Sequence, residues 1–191
     1  MKTLFFTAAC ILISIVSSAQ QEEQYFPESD PLVLQKISEW QDLKFGLLMH
    51  WGAYSQWGIV ESWSICSEDE DWCRRKNDDY EEYKREYANL KNTFNPIRFD
   101  PEKWAKAAKD AGMKYVVFTT KHHDGFCMFD TKTTDYKVTD PGCPFSISPR
   151  ANIAKEIFTA FRNEGLWTVA YFSKPDWHCE YYWWPYFPPK D

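Results

Sequence analysis

Glycine is scarce in this sequence, with seven residues among 191, and none of them belongs to a glycine-rich loop. Phosphate-binding loops and dinucleotide-binding folds need closely spaced glycines, because the backbone must approach the phosphates closely. The Gly-x-Ser-x-Gly turn of serine hydrolases is also missing. Gly46 and Gly52 stand alone and are suited to local turns. The sequence therefore argues against nucleotide-dependent chemistry and against a serine nucleophile.

Positive charge is also in deficit, since the formal net charge is −6. Binding to nucleic acid depends on neutralising phosphates, so we expect no nucleic-acid partner. Long apolar runs are missing as well, and we expect no membrane span. The amino terminus has a short basic segment at Lys2, an apolar stretch from Leu4 to Val16 and small residues up to Ala19. This pattern predicts a signal peptide over residues 1–19 and export to the periplasm or the extracellular space.

Six cysteines are present, and one of them, Cys10, lies inside the predicted signal peptide. The remaining five cannot all pair within the chain. Cys66 and Cys73 are close enough in sequence to form a local disulfide in an oxidising compartment. Buried free thiols are the alternative, and the sequence leaves both open.

Aromatic residues are abundant, at 18% of the chain with ten tryptophans. Flat rings with polar tips suit the faces of sugars as well as hydrophobic cores, and both uses remain open at this point.

Three apolar runs predict parallel strands that are buried on both faces, because they lack the polar alternation of a half-exposed strand. They lie at Phe45–Gly52, Lys114–Thr120 and Trp167–Phe172. Helical segments with Asp100 as an amino-terminal cap and Gly112 as a stop separate them. A closed barrel of eight such units needs roughly 250 residues. We therefore expect a signal peptide (1–19), a flexible lead-in (20–31) and an incomplete catalytic (β/α) barrel domain (32–191), as in a fragment of a larger protein.

Side chains suited to binding follow these strands and occupy the first long loop: His50, Glu61 with Trp63, His122 with His123 and Asp124, and Tyr171 with Trp177. In parallel α/β folds the carboxyl ends of the strands meet at one edge, so these groups should converge. Imidazoles, a carboxylate and an indole provide the donors, acceptor and stacking face that a sugar ring needs. A purely structural role for the histidines is the alternative.

A metal site is a third interpretation, since histidine and carboxylate side chains are zinc ligands. His122 and His123 are adjacent, however, and successive strand residues point to opposite faces. They could reach a common metal only if the strand had already ended before them. The sequence therefore predicts no bound metal.

Several motifs together resemble the amino-terminal part of the α-L-fucosidases of glycoside hydrolase family twenty-nine. The resemblance runs from about Trp40 to Trp177. The motifs are Phe45-Gly46-Leu47-Leu48-Met49-His50-Trp51-Gly52, Phe99-Asp100-Pro101-Glu102-Lys103-Trp104-Ala105, Ala111-Gly112-Met113-Lys114-Tyr115-Val116-Val117, Thr119-Thr120-Lys121-His122-His123-Asp124-Gly125-Phe126, and Tyr171-Phe172-Ser173 with Asp176-Trp177.

This resemblance implies an exported, retaining exo-glycosidase that removes terminal α-L-fucose from glycans without a cofactor. Its catalytic domain would be a (β/α)₈-like TIM barrel followed by a β-sandwich, and this chain would hold about three of the barrel strands. The residues that match the family's fucose-binding residues are His50, Glu61, Trp63, His122, His123 and Tyr171. Glu61-Ser62-Trp63 departs from the adjacent Glu-Trp of many members.

Retaining hydrolysis needs two carboxyl groups, a nucleophile and an acid/base. By the resemblance, both are expected downstream of Asp191, and neither Asp124 nor Asp176 matches them. We therefore expect the isolated chain to be inactive on aryl fucosides. A catalytically inactive fucose-binding remnant and a metal-dependent barrel hydrolase are the alternative functions, and the sequence predicts no oligomeric state.

Overall fold

A computed structural model describes residues 26–66, 72–73 and 75–183. The predicted signal peptide and the first half of the lead-in lie outside the described residues. The chain divides into two compact units, residues 1–42 and residues 43–191. Helix α1 (Pro31–Leu43) begins after Asp30, whose side chain accepts a hydrogen bond from the backbone N–H of Leu32. None of the residues of α1 is buried.

The second unit is built on a sheet of three parallel strands in the order β1-β2-β3. They are β1 (Gly46–Met49), β2 (Tyr115–Lys121) and β3 (Trp167–Phe172). Gly46 pairs with Tyr115, and Tyr115 pairs with Trp167, so the three strands start level with one another. Because all three strands are parallel, their carboxyl ends lie at one edge of the sheet, as the sequence predicts.

The described residues of this unit include three α-helices: α2 (Tyr80–Ala88), α3 (Pro101–Asp110) and α4 (Ile153–Asn163). Each has a polar amino-terminal cap whose side-chain oxygen accepts a backbone N–H in the first turn, as this residue type favours. The caps are Asp79, Asp100 and Asn152. Short 3₁₀ helices lie at Ala53–Gln56, Trp63–Ile65, Asn89–Thr93, Pro144–Ile147 and Glu180–Trp183.

Burial of the outer strands differs from the sequence prediction. Central strand β2 is mostly buried, as predicted, but Leu48 of β1 is 58% exposed and Phe172 of β3 is 57% exposed. Within the described residues each outer strand has one paired neighbour, whereas β2 has two. Full burial of a parallel strand requires cover on both faces and both edges. The prediction of full burial is therefore wrong for β1 and β3.

The core is rich in aromatic side chains, and Tyr83, Tyr87, Phe118, Phe126 and Phe161 are among its most deeply buried residues. Helix α4 packs on β2 and β3, where the ring of Phe158 meets the ring of Phe118 at 6.4 Å between centroids. Cys66 and Cys73 are both buried. In the described part of the chain, no helix is both long and apolar enough to cross a membrane.

Candidate functional site

The candidate site lies at the carboxyl ends of the three strands. His50 follows the last residue of β1, and His122 and His123 follow the last residue of β2. Tyr171 is the penultimate residue of β3. Because the strands start level, these side chains reach one place from three directions, and the long loop after β1 adds Glu61 and Trp63.

His122 is the centre of this group. Its ring lies 5.5 Å from that of His50, 4.3 Å from that of His123 and 6.2 Å from that of Tyr171, between centroids. The Tyr171 ring is nearly parallel to it, at 17°. Because β2 ends at Lys121, the two adjacent histidines lie outside the strand. Their side chains therefore do not have to point to opposite faces of the sheet, and the two rings lie side by side.

Both nitrogens of the His122 ring have partners in consecutive residues of the loop. The Glu61 carboxylate lies 3.3 Å from Nε2, and the Ser62 hydroxyl lies 2.5 Å from Nδ1. A carboxylate only accepts hydrogen bonds, so its position favours the tautomer with the proton on Nε2, in which Nδ1 accepts from the Ser62 hydroxyl. Glu61 has a φ of 49°, a left-handed conformation that costs a non-glycine residue energy. This backbone conformation allows the loop to hold one imidazole by both nitrogens.

Glu61 also joins His122 to two other groups. The oxygen near His122, Oε2, also accepts the indole N–H of Trp63 over 3.2 Å, and the other oxygen, Oε1, lies 3.5 Å from Nε2 of His50. The side chains of His50 and Glu61 are partly exposed, whereas His122 is buried. The carboxylate therefore lies at the boundary between the buried imidazole and the open part of the pocket.

His123 is held in a similar way by the loop after β3. Its Nδ1 is hydrogen-bonded to the hydroxyl of Ser173, and its carbonyl accepts the backbone N–H of Trp177 over 2.6 Å. The rings of Trp63 and Trp177 lie 5.1 Å and 4.8 Å from the His123 ring. Two indoles thus border this imidazole and give the site an aromatic wall.

Burial keeps both histidines uncharged. It lowers the pKa of His122 to about 3, with smaller contributions from His123, His50 and Lys121. The pKa of His123 is also lowered, first by burial and then by Lys121. At neutral pH the two rings are therefore neutral groups that can each donate and accept one hydrogen bond.

A second polar network lies directly behind the histidines. Asp124 is buried, and its carboxylate accepts the Tyr87 hydroxyl over 2.8 Å and the Phe126 backbone N–H over 3.1 Å. Burial raises the Asp124 pKa to about 6 despite these two bonds. Lys121 is also buried and reaches Asp176 in the loop after β3, at 3.4 Å. These contacts tie the loops after β2 and β3 to each other and to α2.

Three side chains of the site could hold a metal ion. One ligand atom each of His50, Glu61 and His122 lies within 4.8 Å of the others. This set differs from the pair His122 and His123 that the sequence suggested. It combines His50 after β1 with His122 after β2, and the loop after β1 adds the carboxylate of Glu61.

All six predicted binding residues are therefore brought together, and Trp177 joins them. The sequence did not indicate a role for Ser62 and Ser173, whose hydroxyls are hydrogen-bonded to Nδ1 of His122 and of His123, respectively. Each is a small polar residue beside a candidate group, but its partner lies 60 or 50 residues away in the chain. Local sequence patterns carry no signal for such contacts.

Comparison with known proteins identifies the family. The family described as "Alpha-L-fucosidase" matches residues 12–191. The chain belongs to the α-L-fucosidase family. The chain is 30% identical to human tissue α-L-fucosidase over 171 residues. This alignment covers 85% of this chain and 34% of the human protein. The chain thus spans about a third of the length of the curated relatives it matches.

Solved structures of α-L-fucosidases are similar as well. Isoenzyme 1 from Paenibacillus thiaminolyticus is 44% identical, with a TM-score of 0.59 over 77% of this chain and 30% of that one. A family 29 enzyme from Bacteroides thetaiotaomicron, solved as a trapped covalent intermediate with 2-fluoro-fucosyl fluoride, is 30% identical. Its TM-score is 0.59, over 81% of this chain and 33% of that one. The predicted fold class, the amino-terminal part of a TIM-barrel catalytic domain in this α-L-fucosidase family, is confirmed.

Proposed function

We propose that this chain provides the fucose-binding part of a retaining exo-α-L-fucosidase that acts on terminal α-L-fucose of glycans. The observation that carries the proposal is the convergence of neutral imidazoles, one carboxylate and indole faces at the carboxyl ends of three parallel strands, in a member of this family. Supporting it, the Bacteroides relative was solved with a fucosyl compound as a covalent intermediate.

The polar groups are well suited to the hydroxyls of a pyranose. Glu61 can only accept hydrogen bonds, whereas neutral imidazoles offer both a donor and an acceptor. Ser62 and Ser173 occupy the Nδ1 atoms of His122 and His123, so a ligand would meet the Nε2 atoms, and at His122 it would share Nε2 with the Glu61 carboxylate. The indoles of Trp63 and Trp177 offer an apolar surface for the C–H face and the methyl group of fucose.

None of the carboxylates around the pocket in the described residues is placed as a nucleophile. Asp124 is buried and bonded to Tyr87, and Asp176 accepts two backbone N–H groups beside Lys121. Glu61 is engaged with two imidazoles and an indole. We therefore place the two catalytic carboxyl groups in the part of the relatives that this chain does not span. Export follows from the leader-like amino terminus and is part of the proposal.

Titration of the purified protein with L-fucose, followed by tryptophan fluorescence or calorimetry, tests this function. D-fucose is the matched control, because the mirror-image sugar has the same groups but cannot place its hydroxyls on the same partners. We expect saturable binding of L-fucose alone and no release of nitrophenol from an aryl α-L-fucoside by the 191-residue chain. Equal or absent binding of the two sugars would overturn the proposed function, and turnover by this chain would contradict the placement of the carboxyl groups.

A further inference from the structure

We propose that the sugar pocket also binds one zinc ion through His50 Nε2, the Glu61 carboxylate and His122 Nε2, and that zinc and fucose exclude each other. Two imidazoles and one carboxylate are an established ligand set for zinc with an open fourth position. Mutual exclusion rests on the proposed function, since the same atoms would contact the sugar. Zinc binding itself does not depend on it.

The distances between the ligand atoms fit this ion. Zinc bonds of 2.0–2.2 Å in a tetrahedron place neighbouring ligand atoms roughly 3.3–3.6 Å apart. Oε2 of Glu61 lies 3.3 Å from His122 Nε2, and Oε1 of the same carboxylate lies 3.5 Å from His50 Nε2. All three ligand atoms lie within 4.8 Å of one another. His50 and Glu61 are partly exposed, so they can adjust around an ion and leave one position open to water.

The hydrogen-bond partner behind His122 favours metal binding as well. Histidine ligands of metals nearly always have an outer partner on the second ring nitrogen, which fixes the ring. Ser62 occupies that position at 2.5 Å. When zinc takes Nε2, the ring proton must reside on Nδ1, and the Ser62 hydroxyl can then accept instead of donate. The ring thus remains neutral, and no net proton has to leave it.

Zinc titration of metal-free protein by calorimetry tests the site, with magnesium as the control because it prefers oxygen ligands. We expect one zinc per chain in the parent protein and a loss of affinity of more than tenfold in His122→Gln and Glu61→Gln. His123→Gln is the matched control: it alters the adjacent pocket histidine, which is outside the ligand set, and should keep zinc. If that variant does not fold, His178→Gln replaces it as the control, because the ring of His178 stacks on Tyr136 and does not belong to the ligand set.

The outcomes separate the two proposals. Absence of zinc binding in the parent, or undiminished binding in His122→Gln, would overturn the metal site. If zinc and L-fucose bind together without competition, their mutual exclusion is wrong. If zinc binds as expected and L-fucose does not bind to metal-free protein, the metal site stands and the proposed sugar-binding function fails.

Discussion

Replacing His122 or Asp124 should change the pH dependence of stability in opposite directions. In the folded chain the pKa of His122 is lowered from 6.5 to about 3, so between these values the unfolded chain holds a proton that the folded chain does not. Stability supplied by His122 therefore rises with pH across this window. The pKa of Asp124 is raised from 3.8 to about 6, so here the folded chain holds the extra proton, and its contribution falls as pH rises.

The size of each effect follows from linkage. One proton of difference changes the free energy of unfolding by about 1.4 kcal/mol per pH unit. Between pH 4 and 6 the two contributions therefore nearly cancel in the parent protein. In Asp124→Asn only the His122 effect remains, so its stability relative to the parent should rise by about 2 kcal/mol over this interval, because Asp124 differs by only about half a proton at each end of it. In His122→Gln the relative stability should fall by roughly 2–3 kcal/mol.

Denaturant unfolding at several pH values between 4 and 6, followed by tryptophan fluorescence, measures these differences. Only the change with pH matters, because each substitution also has a constant effect on packing. Other ionisable groups are shared with the parent and drop out of the comparison. Two difference curves that are flat, or that slope in the same direction, would refute the assignment of a buried neutral imidazole next to a buried carboxyl group.

Two further predictions concern the loops of the site, and a third concerns its dependence on a metal ion. Ser62→Ala should weaken L-fucose binding about tenfold by leaving a buried ring nitrogen without its donor. Ser62→Thr should largely restore binding, and Ser64→Ala, an equally buried control, should not affect it; equal losses in both alanine variants would contradict the role. Gly125→Ala should destabilise folding by about 2–3 kcal/mol in thermal melts, because φ is 78° and a Cβ would lie 2.4 Å from Asp176. Gly58→Ala, with φ of 63° and open space, should cost only about 1 kcal/mol, and similar costs would show that the contact is unimportant. Dialysis against a chelator should not weaken L-fucose binding, whereas a loss of affinity would favour the metal-dependent alternative.

Local signals in the sequence predicted much of this fold. Asp100 caps α3, and Gly112 stops it with a φ of 83°, as expected from short-range chemistry. The prediction that β1 and β3 are fully buried was wrong. An apolar run shows that a strand can be buried, but it does not show which elements cover that strand. Exposure of Leu48 and Phe172 depends on partners beyond the pattern of the strand itself.

The candidate site, like the fold, could be predicted from the sequence only in part. His50, His122 and Tyr171 could be placed near one another because they end parallel strands, and this geometry is set by topology. Contacts between Ser62 and His122, or between Ser173 and His123, join residues far apart in the chain, and they depend on how each loop returns. The left-handed conformation of Glu61 is equally invisible in the sequence.

The hydrogen bond of Ser62 explains how one pocket could serve two unlike ligands. A sugar hydroxyl that accepts a hydrogen bond needs the proton of His122 on Nε2, whereas a metal ion needs that nitrogen free. A hydroxyl can donate or accept, so Ser62 at Nδ1 supports either proton position, while a carboxylate there would enforce Nδ1–H and a backbone N–H would forbid it. Glu61 and the bound ligand then determine which of the two ring nitrogens carries the proton. The Glu61 carboxylate, 3.3 Å from Nε2, favours the tautomer that is protonated there, which is the form that can donate to a sugar hydroxyl.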